Sequence, residues 1–289
     1  MRVKSVLNRH RKRDEWFLDD YSVNPYYGCS FGCVYCYVRG SRYGKGGRVQ
    51  IKVNSPELLE KQLRRRAYRE EYGVIAVGTS TEPYMSLEDE VRLTRKILGI
   101  IARYRFPVHI LTKSTLVLRD ADLIAQIDCR AVLPDDLEGR IDRGAFVTFS
   151  ISVMDERMVR VVEPNAPLPE ERLRAVTELA ESEIFAGIAF IPVLPFISDS
   201  PEKLDWMIWK AKESGAKFCF AGALTLYGNN PDDCRQTYFR FIRKYHPDLL
   251  PEYLKMYGRS YQPSASYRKL LDRTAREMCM KHGIRYRIL

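Results

Sequence analysis

Short, nearly all-apolar runs alternate with amphipathic stretches from about residue 74 to residue 223, and this alternation narrows the fold more than any other feature of the chain. Val74-Ile75-Ala76-Val77-Gly78 is apolar at consecutive rather than alternate positions, the pattern of a strand buried on both faces. Further strands are expected at Val108 to Thr112, Phe146 to Val153, Gly187 to Ile191 and Lys217 to Ala223. The stretches between them carry helix start signals. Ser86 with Asp89 has the form of a capping box and predicts a helix to about Arg105. Leu118 to Ile127, Pro169 to Glu181 and a segment begun by Ser200-Pro201 follow. Earlier, Ser55-Pro56-Glu57 reads as an N-cap, a first-turn proline and an acidic first turn, for a helix ending near Arg64-Arg65-Arg66. With the extended segment Tyr21 to Tyr26, the pattern predicts six strand–helix units. Such alternation implies an α/β fold, a parallel sheet with helices outside it and a site at the carboxyl ends of the strands. Gly187, Pro192 and Pro195 fit turns at that edge.

After about Tyr227 the pattern changes. Helical stretches at about Asp232 to Tyr245, Leu249 to Tyr257 and Ser264 to His282 precede a short strand, Ile284 to Ile288. Residues 1–226 are therefore expected to form the main domain behind a basic N-terminal segment, with 227–289 an extension packed on it. No apolar run reaches the ~18 residues of a membrane span. No apolar signal core follows the basic start, Met1 to Lys4, so the expectation is a soluble, cytoplasmic protein with no membrane partner. The net charge of +10 suits a polyanionic partner such as nucleic acid, and suits equally an enzyme that binds none.

The chain has seven cysteines, and three of them lie within eight residues, in Asn24-Pro25-Tyr26-Tyr27-Gly28-Cys29-Ser30-Phe31-Gly32-Cys33-Val34-Tyr35-Cys36-Tyr37. Such local clustering points to metal or catalysis rather than to a disulfide framework. Thiolates suit iron–sulfur clusters and zinc. A structural zinc site asks for four protein ligands, whereas His10, His109, His246 and His282 are all remote in sequence. An open fourth position is a defect in a structural site and an advantage in a catalytic one. Gly28 and Gly32 let the backbone turn tightly around a bulky group. Three metal-free cysteines, or zinc with a distant fourth ligand, are the alternatives on the residues alone.

The C-x3-C-x2-C spacing of Cys29, Cys33 and Cys36, with Tyr35 just before the third cysteine, resembles the signature of radical S-adenosylmethionine (SAM) enzymes. The resemblance implies a 4Fe-4S cluster on those cysteines and SAM chelated to its open iron. It implies reductive cleavage to a 5′-deoxyadenosyl radical, hydrogen abstraction from a substrate, and a partial (β/α)6 TIM-like barrel, here with a helical C-terminal extension. A closer similarity is to the spore photoproduct lyase-like (DNA repair photolyase-like) branch, from about Tyr21 to Leu226. It rests on Asn24-Pro25-Tyr26 with the cysteines, Gly78-Thr79-x-Thr81-Glu82-Pro83-Tyr84, Leu111-Thr112-Lys113-Ser114 and Arg119-Asp120-x-Asp122-Leu123.

By that similarity Glu82 accepts from the amino group of the cofactor's methionine part, Thr79 and Ser80 donate to its carboxylate, and Lys113 with Ser114 approaches it. A polar turn before a helix and an ordinary exposed lysine are the structural alternatives. Ser150 or Ser152 would reach the ribose; the two share one face of the predicted strand. Tyr35 and Tyr37 would pack near adenine and cluster, or serve as core aromatics. The lyase's donor cysteine has no counterpart near the end of the second strand, Val77-Gly78-Thr79-Ser80-Thr81, which argues against that repair reaction. Cys219, on the sixth predicted strand, would face either the barrel interior or the core. Cys129, Cys234 and Cys279 fall in helical or loop contexts without a partner.

Tyr253, Tyr257, Arg259, Tyr261, Tyr267 and Arg268, with the basic runs Arg9 to Arg13, Arg39 to Arg48 and Arg64 to Arg66, permit a nucleic-acid groove, although tyrosines at helical spacing are more often core. The expectation is a radical SAM enzyme with nucleic acid as its leading substrate class and a flavodoxin- or ferredoxin-type electron donor as its partner. A peptide or small-metabolite substrate, an iron–sulfur nucleic-acid-binding protein without radical chemistry, and a zinc scaffold are the rivals.

Overall fold

The computed structural model describes residues 1–41 and 48–289. Gly44-Lys45-Gly46-Gly47 and the middle of the Arg39 to Arg48 basic run lie outside them. The chain begins with β1 (Leu7–Arg9), β2 (Tyr21–Val23) and the small pair β3 (Tyr26–Tyr27) and β4 (Gln50–Ile51). Then come α1 (Ser55–Tyr68), β5 (Ile75–Val77), α2 (Glu88–Val91), α3 (Leu93–Arg103) and β6 (Val108–Thr112). A 3-10 segment (Thr115–Asp120) leads into α4 (Ala121–Arg130), followed by β7 (Ala145–Ser150), α5 (Glu156–Val162) and α6 (Pro169–Glu181). Next are β8 (Ala186–Val193), α7 (Pro201–Glu213) and β9 (Phe218–Ala223); α8 (Cys234–Tyr245), α9 (Leu250–Tyr257), α10 (Ala265–His282) and β10 (Arg285–Tyr286) complete the chain.

The main sheet has eight strands in the order β1-β2-β5-β6-β7-β8-β9-β10, and all pairs are parallel except β1 with β2. All the parallel strands therefore deliver their carboxyl ends to one edge. One face carries Ile75, Val77, Val108, Ile110, Val147 and Ile188 against apolar side chains of α1, α3, α4, α6, α7 and α10. The other, inner face carries Phe146, Ala189, Phe218 and Phe220. Burial on both sides explains why these strands read as continuous apolar runs.

The first twenty residues, which look like a polar lead, supply an edge strand and a plug. Trp16 stacks on Phe220 at 5.9 Å, and Phe17 lies 5.9 Å from the ring of His109. His109, in β6, is fully buried, with Nδ1 2.8 Å from the Phe17 carbonyl and Nε2 2.6 Å from the Thr148 hydroxyl. A neutral ring with its proton on Nδ1 satisfies both contacts, donating to Phe17 and accepting from Thr148. Burial lowers the pKa of this ring to about 4.

The helix expected from Ser86 to Arg105 is broken at Arg92, whose φ is 49°, into α2 and α3. The buried Glu88 carboxylate accepts from the Leu93 and Thr94 amides at 2.9 and 3.0 Å and starts α3 in place of the Ser86 capping box. Ser55 is likewise not an N-cap: Asn54 holds that position, its side chain engaged with the backbone of Val3, and the Ser55 hydroxyl is buried without a partner. At the other end, α10 packs on α7 and β9, and β10 extends the sheet. No helix among the described residues is long and apolar enough to cross a membrane.

Candidate active site

The cysteine loop leaves β3 at the carboxyl edge. Gly32 has φ 69°, a conformation that disfavours any side chain, although a Cβ there would meet nothing closer than 3.5 Å. The loop is fastened on several sides. The Val34 amide donates to the Val162 carbonyl at 2.9 Å, and the Asn165 side chain donates to the Ser30 carbonyl at 2.9 Å. The Arg39 guanidinium donates to the Cys33 carbonyl. Cys29, Cys33 and Cys36 are all free and half-buried. Burial pushes the Cys33 thiol up, with nearby Lys113 opposing, and the charges of Cys36 and Cys29 reach it. Burial pushes the Cys29 thiol up as well.

Such thiols ionise readily only when a metal replaces the lost solvent. Among the described residues no three His, Cys, Asp or Glu side chains converge on one ion-sized point, and a polynuclear cluster does not ask them to. Three thiols on one glycine-turned loop, with a lysine over the Tyr35 ring between Cys33 and Cys36, fit an iron–sulfur cluster.

Around this loop stand the ends of β2, β5, β6 and β7. Asn24 organises the segment after β5: its Oδ1 accepts from the Ser80 and Thr81 amides at 3.0 and 3.3 Å, and its Nδ2 donates to the Thr79 hydroxyl at 3.3 Å. Glu82 is buried. Its Oε1 accepts from the Thr112 hydroxyl and the Tyr84 amide, and its Oε2 from the Lys113 amide at 2.9 Å. A carboxylate offers about four acceptor sites, so one is left on Oε2. Burial raises the Glu82 pKa against the pull of these donors.

Lys113 Nζ donates to the Ser150 hydroxyl at 2.9 Å and lies 5.8 Å above the Tyr35 ring; Ser150 in turn donates to the Ile191 carbonyl at 2.8 Å. Ser114 caps the 3-10 segment, accepting from the Leu116 amide at 3.2 Å. Tyr37 donates to the Thr79 carbonyl. Ser152 lies past the end of β7, so the shared-face expectation fails; its hydroxyl donates to the buried Tyr35 oxygen at 3.0 Å.

Asn24 and Thr112 lie inside the quoted motifs without a role of their own there, and Glu163 and Arg172, outside every motif, belong to the same constellation. Arg172 had a readable signal: it precedes Ala175, Val176 and Leu179 by three, four and seven residues, so it sits on the apolar face of α6.

The model of the Radical SAM superfamily matches residues 23–207. The chain belongs to the radical SAM superfamily. Members of this superfamily use a 4Fe-4S cluster and SAM, and these are the cofactors of this radical SAM protein. It is 30% identical over 272 residues to an uncharacterized protein of Mycobacterium tuberculosis, covering 91% of this chain and 75% of that one. It is 32% identical over 185 residues to one of Methanocaldococcus jannaschii, covering 62% of each. Among solved structures it resembles a spore photoproduct lyase variant with bound AdoMet and dinucleoside spore photoproduct, with TM-score 0.68, 15% identity, and 96% and 80% of the two chains covered. SuiB of Streptococcus suis bound to S-adenosylmethionine gives TM-score 0.53 and 12% identity over 82% of this chain and 46% of that one. At these identities the likeness is one of fold.

In this radical SAM fold the remaining cysteines stand away from the inner face or are bonded. Cys219 packs with the outer core and lies 3.2 Å, sulfur to sulfur, from Cys279, so Cys279 does have a partner. Cys234 donates to the Thr225 carbonyl, and burial together with Cys36 pushes its thiol up to about 12. Cys129 is exposed. Tyr253 and Tyr257 are fully buried, bonded to Pro195 and Leu224 carbonyls, and form core rather than a stacking platform. Tyr267 donates to Asp199 at 2.7 Å, while the exposed Tyr261 stacks on Tyr227 at 4.8 Å.

Proposed function

We propose that this protein is a radical SAM enzyme whose cluster is held by Cys29, Cys33 and Cys36. The observation that carries the reading is the meeting of the cysteine loop with Lys113 past the end of β6, where the ammonium lies 5.8 Å over the ring of Tyr35, between Cys33 and Cys36. Six inner strands, β2 and β5 to β9, would make the partial (β/α)6 barrel within residues 1–226, with 227–289 as the extension. A cluster on Cys29, Cys33 and Cys36 together with SAM would supply reductive sulfonium cleavage and, through it, hydrogen abstraction from a substrate.

The chain's own residues bind and orient. Lys113 would pair with the cofactor carboxylate, its ammonium already aimed by Ser150. Glu82 would take the amino group on its spare acceptor site. The Thr79–Ser80 backbone, pinned by Asn24, would line the same end. Tyr35, Tyr37 and Ser150 would border the nucleoside part, whereas Ser114 and Ser152 are committed to a cap and to Tyr35. Nucleic acid leads as substrate class, on the fold shared with a spore photoproduct lyase that binds a dinucleoside spore photoproduct and on the net charge of +10. The lyase's donor chemistry is not part of the proposal. Gly78 follows β5 with φ 97°, and a Cβ there would lie 2.3 Å from the Leu111 carbonyl, so position 78 itself takes no side chain. A flavodoxin- or ferredoxin-type donor would supply the electron, in the cytoplasm, where free thiols persist.

The test is anaerobic reconstitution with iron and sulfide, then dithionite and SAM, with 5′-deoxyadenosine measured by chromatography. Cysteine-dependent 5′-deoxyadenosine is the expected result. A protein that assembles no cluster overturns the reading.

A further inference from the structure

We infer that the buried ion pair Arg172–Glu163 is a positioning device that sets the cysteine loop and Lys113 at a fixed separation. This rests on the site proposed above. Arg172 is 0% exposed and Glu163 1%, and the pair is bonded directly. Glu163 uses its other oxygen to accept from the Tyr35 hydroxyl, between Cys33 and Cys36. Its neighbours hold the same loop: the Val162 carbonyl takes the Val34 amide, and Asn165 bonds the Phe31 and Ser30 carbonyls at 3.3 and 2.9 Å. Arg172 faces the other way. Its Nη1 donates to the Ser150 carbonyl at 2.7 Å, at the last residue of β7, whose hydroxyl aims Lys113. Its Nε and Nη2 donate to the Pro167 carbonyl at 2.9 and 2.6 Å, closing the 163–167 turn.

One guanidinium and one carboxylate thus connect the loop that would hold the cluster with the lysine that would hold the cofactor. Stability is a poor reason for such a pair, because apolar residues of similar volume commonly replace a buried ion pair without loss. Direction is a better one. A planar fork fixes the angle between its acceptors, which neither a lysine nor an apolar side chain does. Arg172 and Glu163 are therefore positioning residues. They act through Tyr35 and Ser150.

The test uses the full chain without cofactors first. Peptide-resolved N-ethylmaleimide labelling is compared in the wild type, in Tyr35→Phe, and in the double variant Glu163→Gln/Arg172→Met, which leaves no unpaired buried charge. Tyr35→Phe loses one directing hydrogen bond and is expected to speed labelling of Cys33 and Cys36 about tenfold, and the double variant, which also frees the Ser150 and Pro167 carbonyls, by at least as much. Labelling of the buried Cys219 and Cys279 should stay at the wild-type rate. Unchanged rates at Cys33 and Cys36 overturn the inference. Equal acceleration at Cys219 and Cys279 also overturns it, since the pair would then be only part of the general core.

After reconstitution, the SAM concentration needed to alter the reduced cluster's electron paramagnetic resonance spectrum should rise about tenfold in the double variant at unchanged iron content. No rise overturns the link to Lys113. A wild type that takes up no iron counts against the proposed function alone, because the labelling result stands without it.

Discussion

Toward the amino ends of the strands the inner face is closed by Trp16 and Phe17 packed on Phe220 and His109, whereas at the carboxyl ends it carries three thiols, Lys113 and the buried carboxylates of Glu82 and Glu163. At the closed end the buried imidazole is satisfied. His109 has a partner for each ring nitrogen and is held neutral by burial. The open end keeps unspent capacity: thiols raised by burial and one free acceptor site on Glu82. Glu163 shows what the open end costs to hold in place. Burial would raise its carboxyl, and Arg172 and then Lys113 outweigh burial and bring it below the ordinary value.

The sharpest way to break this contrast is Cys33→Ala. It should abolish iron uptake and 5′-deoxyadenosine formation while leaving the thermal melt of the apo-protein nearly unchanged, since the three cysteines are only half-buried. Full activity in that variant would sink the assignment. Next in size is Lys113→Met, which keeps the stem and removes the ammonium. A charged hydrogen bond is worth about 1.5–3 kcal/mol, so half-saturation by SAM should shift by roughly tenfold to a hundredfold. The check is a SAM titration at equal cluster content, and an unshifted curve would return Lys113 to an ordinary polar side chain.

The closed end makes a prediction in pH. The folded-state pKa of His109 lies near 4, below its ordinary value of 6.5. The unfolded chain therefore binds the extra proton between those values, and stability is complete above about 6.5 and falls as pH drops toward 4. From pH 7.5 to pH 5 the loss from this residue is about 2 kcal/mol. Asp19 works in the opposite direction, because burial raises its pKa to about 6. The useful measurement is the difference between wild type and His109→Gln in denaturant melts at the two pH values. A difference independent of pH would mean that His109 is not held neutral.

Much of this contrast is legible in the sequence, and the parts that are not have physical reasons. The bounds of β6 and α6 match the expected ranges because strong local signals coincide there with burial: a largely apolar run interrupted only by His109 before Thr112 for β6, a first-turn proline for α6. The break at Arg92 is hidden because the group that starts α3, Glu88, lies inside what reads as one amphipathic helix. Trp16 and Phe17 are isolated among charges, so only the tertiary fold reveals them as a plug. Cys219 could be assigned to a face only once Phe218 and Phe220 were known to point inward, since adjacent strand residues point to opposite faces. Glu163 falls at the end of a short helix and gives no periodic signal of its own.

The smallest predicted effect separates two adjacent residues that motif reading treats as one unit. Lys113 and Ser114 stand side by side after β6, but Ser114 spends its hydroxyl on the Leu116 amide and its own amide on the Thr112 hydroxyl at 2.9 Å. Ser114→Ala should therefore cost about 1 kcal/mol of stability, the ordinary penalty for losing an N-cap. Because Thr112 also donates to Glu82, a small disturbance can reach that carboxylate, but only through the backbone. SAM half-saturation should move far less than in Lys113→Met. A shift as large as that of the lysine variant would show that the Ser114 hydroxyl leaves its cap to meet the cofactor, and would move the boundary of the site one residue further along the chain.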